Sequence, residues 1–484
     1  MLLHGLTPPA MFVSLILFML LGFPVAFSLA ALGLFFGLVG VELGYFTTSF
    51  LQALPFRIFG IMSNELLLSI PFFTFMGALL EKSGLAEDLL EGTGQLFGSV
   101  PGGLAYAVII VGAVLGAITG TVAASVIAMG MISLPVMMRY GYDMRIATGS
   151  IAASGTITQL IPPSLVLVVL SDQLGVSVGD MYLGAIGPSV LQVGLFLIFI
   201  AAVSILMPHK VPPLPPEART LSGRALVAKV LWGMVPSIVL IFLVLGTIFL
   251  GLATPTEAGA MGAVGAILLA ALHRRLTWPL LWGGMHATMR ITAMVIFILI
   301  GATVFSLVFQ GVDGAKWIEH MLSGFPGGRI GFLVAVNIFV FFLAFFLDFF
   351  EIAFIVLPLL VPVAKSLDIN LIWFGVLICV NMQTSFMHPP FGFALFYLRG
   401  IAPKEVKSSD IYWGSIPWIG LQVLLVVVVI VWPGSVTYWL GGQTSVDRAT
   451  VQRTLDTLIQ PNADDEDELR DLPGSSDPGS RTRP

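Results

Sequence analysis

The sequence has little charge. Aspartate, glutamate, lysine and arginine make up 10% of its 484 residues, and hydrophobic residues make up 57%. Soluble domains carry roughly a quarter charged residues. This shortage excludes a soluble enzyme, a nucleic-acid-binding protein and a disordered chain. The composition indicates a polytopic membrane protein.

Cysteine and enzyme signatures are also scarce. The one cysteine, Cys379, lies inside an apolar run, so no internal disulfide is possible and no oxidising compartment is implied. The sequence contains no Walker loop, HExxH motif, serine-centred nucleophile elbow or cysteine and histidine metal spacing. An intramembrane protease would need a serine and histidine pair or two facing aspartates. We therefore expect no enzyme activity and no resident cofactor.

Long apolar runs predict the fold class. A helix needs about 20 apolar residues to cross a bilayer, whereas a barrel strand needs about ten and alternates in polarity. The runs are long and do not alternate, which predicts an all-α fold. The first is too long for a signal-peptide core, and we expect a retained helix kinked at Gly22-Phe-Pro24. The runs of spanning length are 10–40, 51–80, 145–171, 183–207, 229–251, 254–272, 281–310, 370–399 and 411–433.

Two further apolar stretches, 104–138 and 330–364, are each interrupted near the middle by small or acidic residues. A matching pair of interrupted segments is typical of a transporter built from repeats. Three motifs recur in the same order at a nearly constant offset. The alternative is chance, because glycine and proline are common here (52 and 30 residues). The matched motifs are Pro101-Gly-Gly103 with Pro326-Gly-Gly328, Leu134-Pro135 with Leu357-Pro358, and Pro162-Pro163 with Pro389-Pro390.

Span counting predicts that the two repeats are inverted. Five full spans separate the interrupted segments, and an odd number reverses the orientation if each segment is a re-entrant hairpin. Cytoplasmic loops carry an excess of lysine and arginine. If the first hairpin opens to the cytoplasm, most basic loop residues lie inside, including Lys229, Arg274 and Arg275.

The predicted organisation has six parts. Scaffold helices occupy 1–100 and 172–325, and the second of these stretches includes a proline-rich cytoplasmic linker at 208–229. An acidic tail at 441–484 is expected to be mostly disordered. The remaining parts are the first hairpin and broken helix at 101–171, the second hairpin and broken helix at 326–400, and a C-terminal helix at 401–440.

The midpoint of the first hairpin has the features of a cation site. Gly120 stands between Thr119 and Thr121, and together they offer bent backbone, free carbonyls and hydroxyls. Unpaired backbone survives at membrane depth only where it lines a cavity or is buried in protein. Sodium prefers such oxygen ligands. Helix packing through small residues is an equally open interpretation.

The helix that follows carries a polar cluster in mid-span. Ser154, Thr156, Thr158 and Gln159 place polar groups there, and Gly155 with Pro162-Pro163 is expected to break the helix. A proline pair removes two amide donors and disfavours helix at the preceding residue. A simple kink would need neither the second proline nor the polar cluster. The pattern favours a binding role.

The second half repeats this design with carboxylates. Asp348 and Glu351 lie in an aromatic and aliphatic segment. An acid within the membrane costs on the order of 3 kcal/mol on insertion scales, so it is normally functional or paired. The alternative is an internal salt bridge with Arg290 or Arg329.

The second broken helix carries Asn381, Gln383, Thr384 and, directly before Pro389-Pro390, His388. Asn381 and Gln383 match Ser154 and Thr156 of the first repeat. Three roles remain open for His388, namely carrying protons, capping the broken helix, and lining the substrate cavity.

The order of motifs from about residue 10 to 433 resembles that of DctM, the large membrane subunit of tripartite ATP-independent periplasmic (TRAP) transporters. Leu347-Asp-Phe-Phe-Glu-Ile352 and His388-Pro-Pro-Phe-Gly392 resemble the mannitol/chloroaromatic branch. The first-half motifs are Ile70-Pro-Phe-Phe-Thr-Phe-Met-Gly77, Leu80-Glu-Lys-Ser-Gly84, Pro101-Gly-Gly103, the stretch 116–121, Ser154-Gly-Thr156 and Ile161-Pro-Pro-Ser164.

The resemblance implies an elevator-type secondary transporter in the bacterial inner membrane. A sodium gradient would drive uptake of a small organic acid handed over by a periplasmic, DctP-like binding protein. A small four-helix, DctQ-like membrane subunit and membrane lipids are the other expected partners, and nucleic acid is not one. The alternatives are a stand-alone ion-coupled carrier of the same superfamily and a non-transporting scaffold or receptor.

The resemblance also implies two cation sites. The first would comprise Thr119, Gly120, Thr121, Ser154, Gly155 and Thr156, and the second Asp348, Asn381, Gln383 and Thr384. Many members carry Ser-Gly-Ser at the first tip, and threonine is common where His388 stands, so protons are an alternative coupling ion. We assign seven further residues to substrate binding: Thr158, Pro162, Pro163, Glu351, His388, Pro389 and Pro390.

Overall fold

The computed structural model describes residues 2–221, 223–323, 327–345, 347–390 and 392–440. The chain divides into two units, Met1–Trp439 and Leu440–Pro484. The predicted disordered tail at 441–484 lies outside the described residues, as does Pro326 of the second repeat motif. All helices and sites described here belong to the first unit.

The described residues form helices and no β-strand, which confirms the all-α prediction. The helices before the linker are α1 (Leu2–Leu20), α2 (Val25–Glu42), α3 (Thr48–Leu51), α4 (Leu54–Met62), α5 (Glu65–Lys82), α6 (Leu85–Leu96), α7 (Gly103–Thr119), α8 (Val122–Arg139), α9 (Met144–Thr156), α10 (Leu165–Leu174) and α11 (Val178–Leu206). Those after it are α12 (Gly223–Phe249), α13 (Pro255–Leu272), α14 (Trp278–Gly311), α15 (Gly314–Ser323), α16 (Gly328–Leu343), α17 (Phe349–Glu351), α18 (Leu357–Ser366), α19 (Leu371–Ser385), α20 (Phe393–Ile401), α21 (Ser408–Val431) and α22 (Gly434–Thr437).

The first apolar run differs from its prediction. It forms two helices, α1 and α2, where the sequence predicted one kinked helix. Gly22 adopts a left-handed φ of 82°, and Pro24 is the N-cap of α2. Glycine tolerates that conformation, and proline disfavours helix at the residue before it. Together they end one helix and begin another.

Both interrupted segments are helical hairpins. In the first, α7 and α8 contact each other and are joined by two residues, Gly120 and Thr121. In the second, α16 is followed by α17, a π-helical turn at Ile352–Val356, and α18. The predicted interruptions therefore fall at the hairpin tips.

Both predicted broken helices are also present. The first consists of α9, a 3-10 turn at Ile157–Gln159, a non-helical break, and α10. The second consists of α19, a break, and α20. Pro162-Pro163 and Pro389-Pro390 lie in these breaks, and each pair is joined by a cis peptide bond. Five spanning segments (α9 with α10, α11, α12, α13 and α14) separate α8 from α16, as inverted repeats require.

Eight helices of the described chain are long and apolar enough to cross a membrane, or nine if a bent pair, Thr48–Met62 with Glu65–Lys82, forms one span. The hairpins and broken helices pack on each other and on α11 and α21. A second group packs α5 against α13 and α14, and α14 against α2.

The linker between the halves is shorter than predicted and is hydrogen-bonded to the first hairpin. Because α12 begins at Gly223, the linker ends before residue 229. Val211 and Lys210 accept hydrogen bonds through their carbonyls from the Gly102 and Asp143 amides, at 2.8 and 2.9 Å. The linker therefore contacts the chain just before α7 and just after α8.

Candidate functional site

The tip of the first hairpin is a two-residue turn between helix ends. Gly120 has a φ of 66°, in the left-handed region, and ends α7. Thr121 is extended and precedes α8, and its side chain makes no capping hydrogen bond. Thr119 is the last residue of α7, and its side chain lies outside the described part of the structure. The tip therefore offers unsatisfied helix-terminal groups.

Small residues also let this hairpin pack closely on the broken helix. A Cβ added to Gly116 would lie 3.0 Å from the Thr158 Cα, so the backbones of α7 and the 3-10 turn are nearly in contact. The packing interpretation of the glycine-rich motif thus holds for Gly116. It does not account for the tip itself.

Three buried hydroxyls of the first broken helix donate to carbonyls of their own helix. Ser154 donates to Ile151, Thr156 to Ala153, and Thr158 to Gly155, over 2.7 to 2.9 Å. Because each hydroxyl proton already has an acceptor, these oxygens can take part in further interactions only as acceptors, through their lone pairs. Thr156 also accepts a hydrogen bond from Gln422 Nε2 of α21 at 2.9 Å.

Gln159 ends the 3-10 turn beside the proline pair. Its side chain is 3% exposed, and its Oε1 has no hydrogen-bond partner among the described residues. Its main-chain carbonyl accepts from the Ser164 hydroxyl at 2.6 Å. A buried acceptor without a partner carries a free-energy cost of about 1 to 3 kcal/mol, so this amide is a candidate ligand-binding group.

Asp348 and Glu351 cap the second hairpin tip. Asp348 Oδ1 accepts from the Phe349 amide at 2.7 Å, and Glu351 Oε2 accepts from the Asp348 amide at 2.9 Å. This is a reciprocal capping box at the start of α17. Neither acid forms a salt bridge with any described residue. Arg329, one proposed partner, stacks on the Trp373 ring at 5.0 Å.

The polar residues of the second broken helix bind neighbouring helices. Asn381 Nδ2 donates to the Asn337 carbonyl of α16 at 2.7 Å, and Gln383 Oε1 accepts from Gln192 of α11. Thr384 donates back to the Asn381 carbonyl at 2.6 Å. All three side chains are buried. Their contacts tie α19 to α16 and α11.

His388 lies at the end of α19 in an aromatic cage. Its Nδ1 is 2.6 Å from the Thr384 carbonyl, and its ring meets those of Phe341 and Phe345 edge-on, at 4.3 and 4.9 Å between centroids. This is the geometry expected of a residue that caps the broken helix. The adjoining Pro389 is half-buried and Pro390 is exposed.

One cavity brings the two hairpin tips together. Its volume is about 400 Å³, and its wall includes Gly120 and Thr121 of the first tip and Asp348 of the second. Gln159 from the first broken helix and Arg290 from α14 complete its polar lining. Its apolar lining consists of Val122, Ala123, Val166, Ile291, Met294, Phe349, Phe350 and Phe386, and Tyr397 adds a phenol.

The cavity contains only part of the predicted site. Among described residues, its wall includes none of Ser154, Gly155, Thr156, Asn381, Gln383, Thr384, Thr158, Pro162, Glu351, His388, Pro389 or Pro390. Pro163 instead lines a small neighbouring cavity with Thr121 and Thr74 of α5. Of the predicted site residues, Gly120, Thr121 and Asp348 therefore line this cavity.

Sequence reasoning did not assign two prominent lining residues to the site. Arg290 was considered only as a salt-bridge partner. Gln159 was named in the polar cluster of the first broken helix, for which a binding role was favoured, but it was not assigned to the cation or substrate residues. A lone basic residue within the long apolar run 281–310 was the available signal for Arg290, because intramembrane charges normally serve a function.

Comparison with known protein families shows to which family the chain belongs. The profile of the tripartite ATP-independent periplasmic transporter, DctM component, matches residues 12–435. The chain belongs to the DctM family. This DctM chain is therefore a large permease subunit of a secondary transporter and a multi-pass protein of the inner membrane.

Two curated relatives illustrate the range of the family. The C4-dicarboxylate TRAP transporter large permease protein DctM of Vibrio cholerae is 29% identical over 454 residues, covering 89% of this chain and 96% of its own. The isethionate TRAP transporter permease protein DctMQ of Oleidesulfovibrio alaskensis is 27% identical, covering 90% of this chain and 66% of its own.

A solved structure supports the fold. The YdaH transporter of Alcanivorax borkumensis, described as having an unusual topology, aligns with a TM-score of 0.57 at 17% identity. The alignment covers 79% of this DctM chain and 89% of the other. At that identity the likeness shows that the two chains share an overall fold.

Proposed function

We propose that this DctM subunit takes up a small organic acid, coupled to sodium and delivered by a periplasmic binding protein. The observation that carries the proposal is the cavity between the hairpin tips, which Arg290 and Asp348 both line. An arginine offers a bidentate site for a carboxylate, and an unpaired aspartate offers one for a cation. Anion and cation sites thus adjoin.

The cavity lining favours a substrate with one acidic group and an apolar body. Arg290 is the one basic residue in the described wall, and the Gln159 amide lies in the same wall. Phe349, Phe350 and Phe386 provide aromatic surface. The two relatives are named for a C4-dicarboxylate and for isethionate, which are both small organic anions.

The cation sites would use serine and threonine hydroxyl oxygens whose protons are already donated to backbone carbonyls. Ser154 and Thr156 donate to their own helix and keep a lone pair for a cation. Thr384 does the same beside Asn381, on the helix that follows the second hairpin. Thr119, Gly120, Thr121 and Gly155 would complete the first set, and Asp348 and Gln383 the second.

Coupling would follow from electrostatics in the cavity. Asp348 repels an anionic substrate unless a cation neutralises it, because charges in a poorly solvated cavity interact strongly. A sodium ion at Asp348 would remove that repulsion and leave Arg290 free to attract the acid. Cation and substrate would then bind cooperatively and cross together.

The transport step would be an elevator movement of the hairpins and broken helices against the scaffold. Thr74 of α5 and Thr121 of the tip line one small cavity where the two groups meet. A Thr74→Cys, Thr121→Cys double variant treated with mercuric ion should lose uptake and regain it with excess thiol. Each single variant is the control, and the native Cys379 is buried. Full uptake by the bridged double variant would argue against movement at this boundary.

The proposed partners are a small DctQ-like membrane subunit and a DctP-like binding protein. The DctMQ name of one relative supports a large subunit that works with a small one. The experiment is uptake of labelled organic acids into proteoliposomes that contain all three proteins, with each partner omitted in turn. We expect uptake to require both partners. Undiminished uptake by this chain alone would indicate a stand-alone carrier, and no uptake from any combination would favour a scaffold or receptor.

A further inference from the structure

A second cavity lies away from the transport site, between the start of α12, the end of α13 and α6. Its volume is about 260 Å³. Three basic side chains, Lys229, Arg274 and Arg275, line it together with Asp88. Asp88 pairs with Arg275 and Glu91 pairs with Lys229, so the charge of Arg274 remains to attract an anion.

The basic residues differ in how far their charges are already neutralised. Arg275 pairs with Asp88 at 3.0 Å and also donates to the Ser83 carbonyl at 2.8 Å. Lys229 pairs with Glu91, which is half-exposed. Arg274 has no ion-pair partner within the described chain. It is held at a left-handed φ of 55° in the turn after α13.

The position of Arg275 depends on a glycine. Gly84 has a φ of 72°, and a Cβ added there would lie 2.1 Å from Arg275 Nη1. The missing side chain lets the guanidinium reach the turn between α5 and α6. Arg275 is thus a lining residue whose guanidinium is held both by the turn after α5 and by Asp88 of α6.

The remaining lining is aromatic and apolar. Trp232 is 57% exposed, and its ring lies 5.5 Å from the His273 ring. His273 Nδ1 is 2.9 Å from the Leu269 carbonyl, and its buried Nε2 has no described partner. Tryptophan is enriched where membranes meet water. The residues that line this cavity are therefore of the types found where a membrane meets water.

An exposed apolar stripe leads away from the cavity along both helices. Its residues repeat every four positions, so each set lies on one helix face. On α12 the stripe consists of Leu231, Val235 and Val239, and on α13 it consists of Val264, Leu268 and Leu272. Hydrocarbon chains are the natural occupants of such a surface in a membrane protein. A basic pocket at its end completes the pattern of a phospholipid site.

We propose that this cavity binds the phosphate headgroup of an anionic phospholipid, with Arg274 as the unpaired cationic ligand. Arg275 and Lys229 supply the surrounding positive charge, and Trp232 covers the glycerol region. The acyl chains lie along the exposed apolar residues of α12 and α13. Basic loop residues mark this end of the helices as cytoplasmic, where anionic lipid is bound by juxtamembrane lysine and arginine. The site is separate from the transport cavity and does not depend on the proposed substrate.

Native mass spectrometry of the full chain in detergent tests the proposal. The probes are phosphatidylglycerol and phosphatidylcholine with identical acyl chains. Wild type should retain phosphatidylglycerol preferentially. Arg274→Asn should bind it about fivefold more weakly, the contribution of one basic residue near an anionic surface. Asparagine tolerates the left-handed backbone, so this change removes the charge without straining the turn.

Controls separate the alternatives. Lys404→Asn removes an exposed basic residue elsewhere and should leave lipid binding unchanged. Trp232→Ala should weaken phosphatidylglycerol binding, and inorganic phosphate should not displace the lipid. The proposal would be overturned if wild type retained the two lipids equally or if inorganic phosphate displaced the lipid. It would also be overturned if Arg274→Asn and Lys404→Asn lost phosphatidylglycerol binding to the same extent. Photo-crosslinking from residue 232 that captured a protein partner instead of lipid would likewise overturn it.

Discussion

The amide of Asp348 donates a hydrogen bond to Glu351 Oε2 over 2.9 Å, while the Asp348 carboxylate caps the helix that contains Glu351. The two intramembrane acids therefore have different surroundings. Asp348 lines the cavity between the hairpin tips, and Glu351 does not. We infer that Asp348 meets the cation and that Glu351 holds Asp348 in position.

Replacing Asp348 by asparagine should remove coupling without unfolding the tip. Asparagine is as good an N-cap as aspartate, so the α17 start is preserved. Loss of a charged ligand should lower sodium-dependent uptake by about tenfold or more. The measurement is uptake at increasing sodium, with assembly checked by size-exclusion chromatography. Asp368→Asn in an exposed turn is the matched control, and normal transport by Asp348→Asn at limiting sodium would contradict the assignment.

Glu351 should tolerate glutamine better than alanine. Glutamine keeps an acceptor for the Asp348 amide and removes the charge, so uptake should stay within about threefold of wild type. Alanine removes the acceptor and should destabilise the tip by about 1 kcal/mol. Thermal unfolding and uptake under sodium and proton gradients check both variants. A large loss of uptake in Glu351→Gln with normal stability would instead give the carboxylate a direct role.

Arg290 should determine substrate affinity. A hydrogen bond to a charged group contributes about 1.5 to 3 kcal/mol, so Arg290→Gln should raise the KM for the acid about tenfold or more. Arg329→Gln is the control, because that guanidinium stacks on Trp373 outside the described cavity wall. Equal effects of the two substitutions on KM would indicate a general loss of positive charge.

The base of the first hairpin should depend on Tyr142. Its buried hydroxyl accepts a hydrogen bond from the Leu104 amide at 3.2 Å. Tyr142→Phe should lower the free energy of unfolding by about 1 kcal/mol, whereas Tyr438→Phe at an exposed site should not. Burial raises the pKa of Tyr142 to about 12.

The raised pKa sets the pH range of that test. The Tyr142 phenol has a pKa of about 10 in the unfolded chain and about 12 in the folded chain. Its contribution to the free energy of unfolding is therefore complete below about pH 10 and is lost as the pH rises towards 12. The difference between wild type and Tyr142→Phe should thus be constant from about pH 6 to 9. A difference that varied across that range would contradict the assignment.

Much of the fold was predictable because glycine and proline act locally. Gly120 ends a helix, and Pro162-Pro163 and Pro389-Pro390 lie in helix breaks, so local residue types made the hairpin tip and the breaks visible in the sequence. The split between α1 and α2 was signalled by Gly22 and Pro24 but interpreted as a kink. Whether a helix bends or ends there depends on packing, which sequence does not contain.

The site was less predictable because it forms over long distances in the chain. Arg290 and Gln159 share a cavity although 131 positions separate them, and no local pattern indicates that meeting. The role of Glu351 had a local signal, since Asp348-Phe-Phe-Glu351 fits the spacing of a capping box.

The most direct test of sodium coupling is uptake of the labelled acid into proteoliposomes that contain this chain, its small subunit and its binding protein. A sodium gradient is imposed without a proton gradient, and then the reverse. The account predicts uptake that follows the sodium gradient and is lost in Asp348→Asn. Uptake driven by protons alone, and unchanged in that variant, would contradict it.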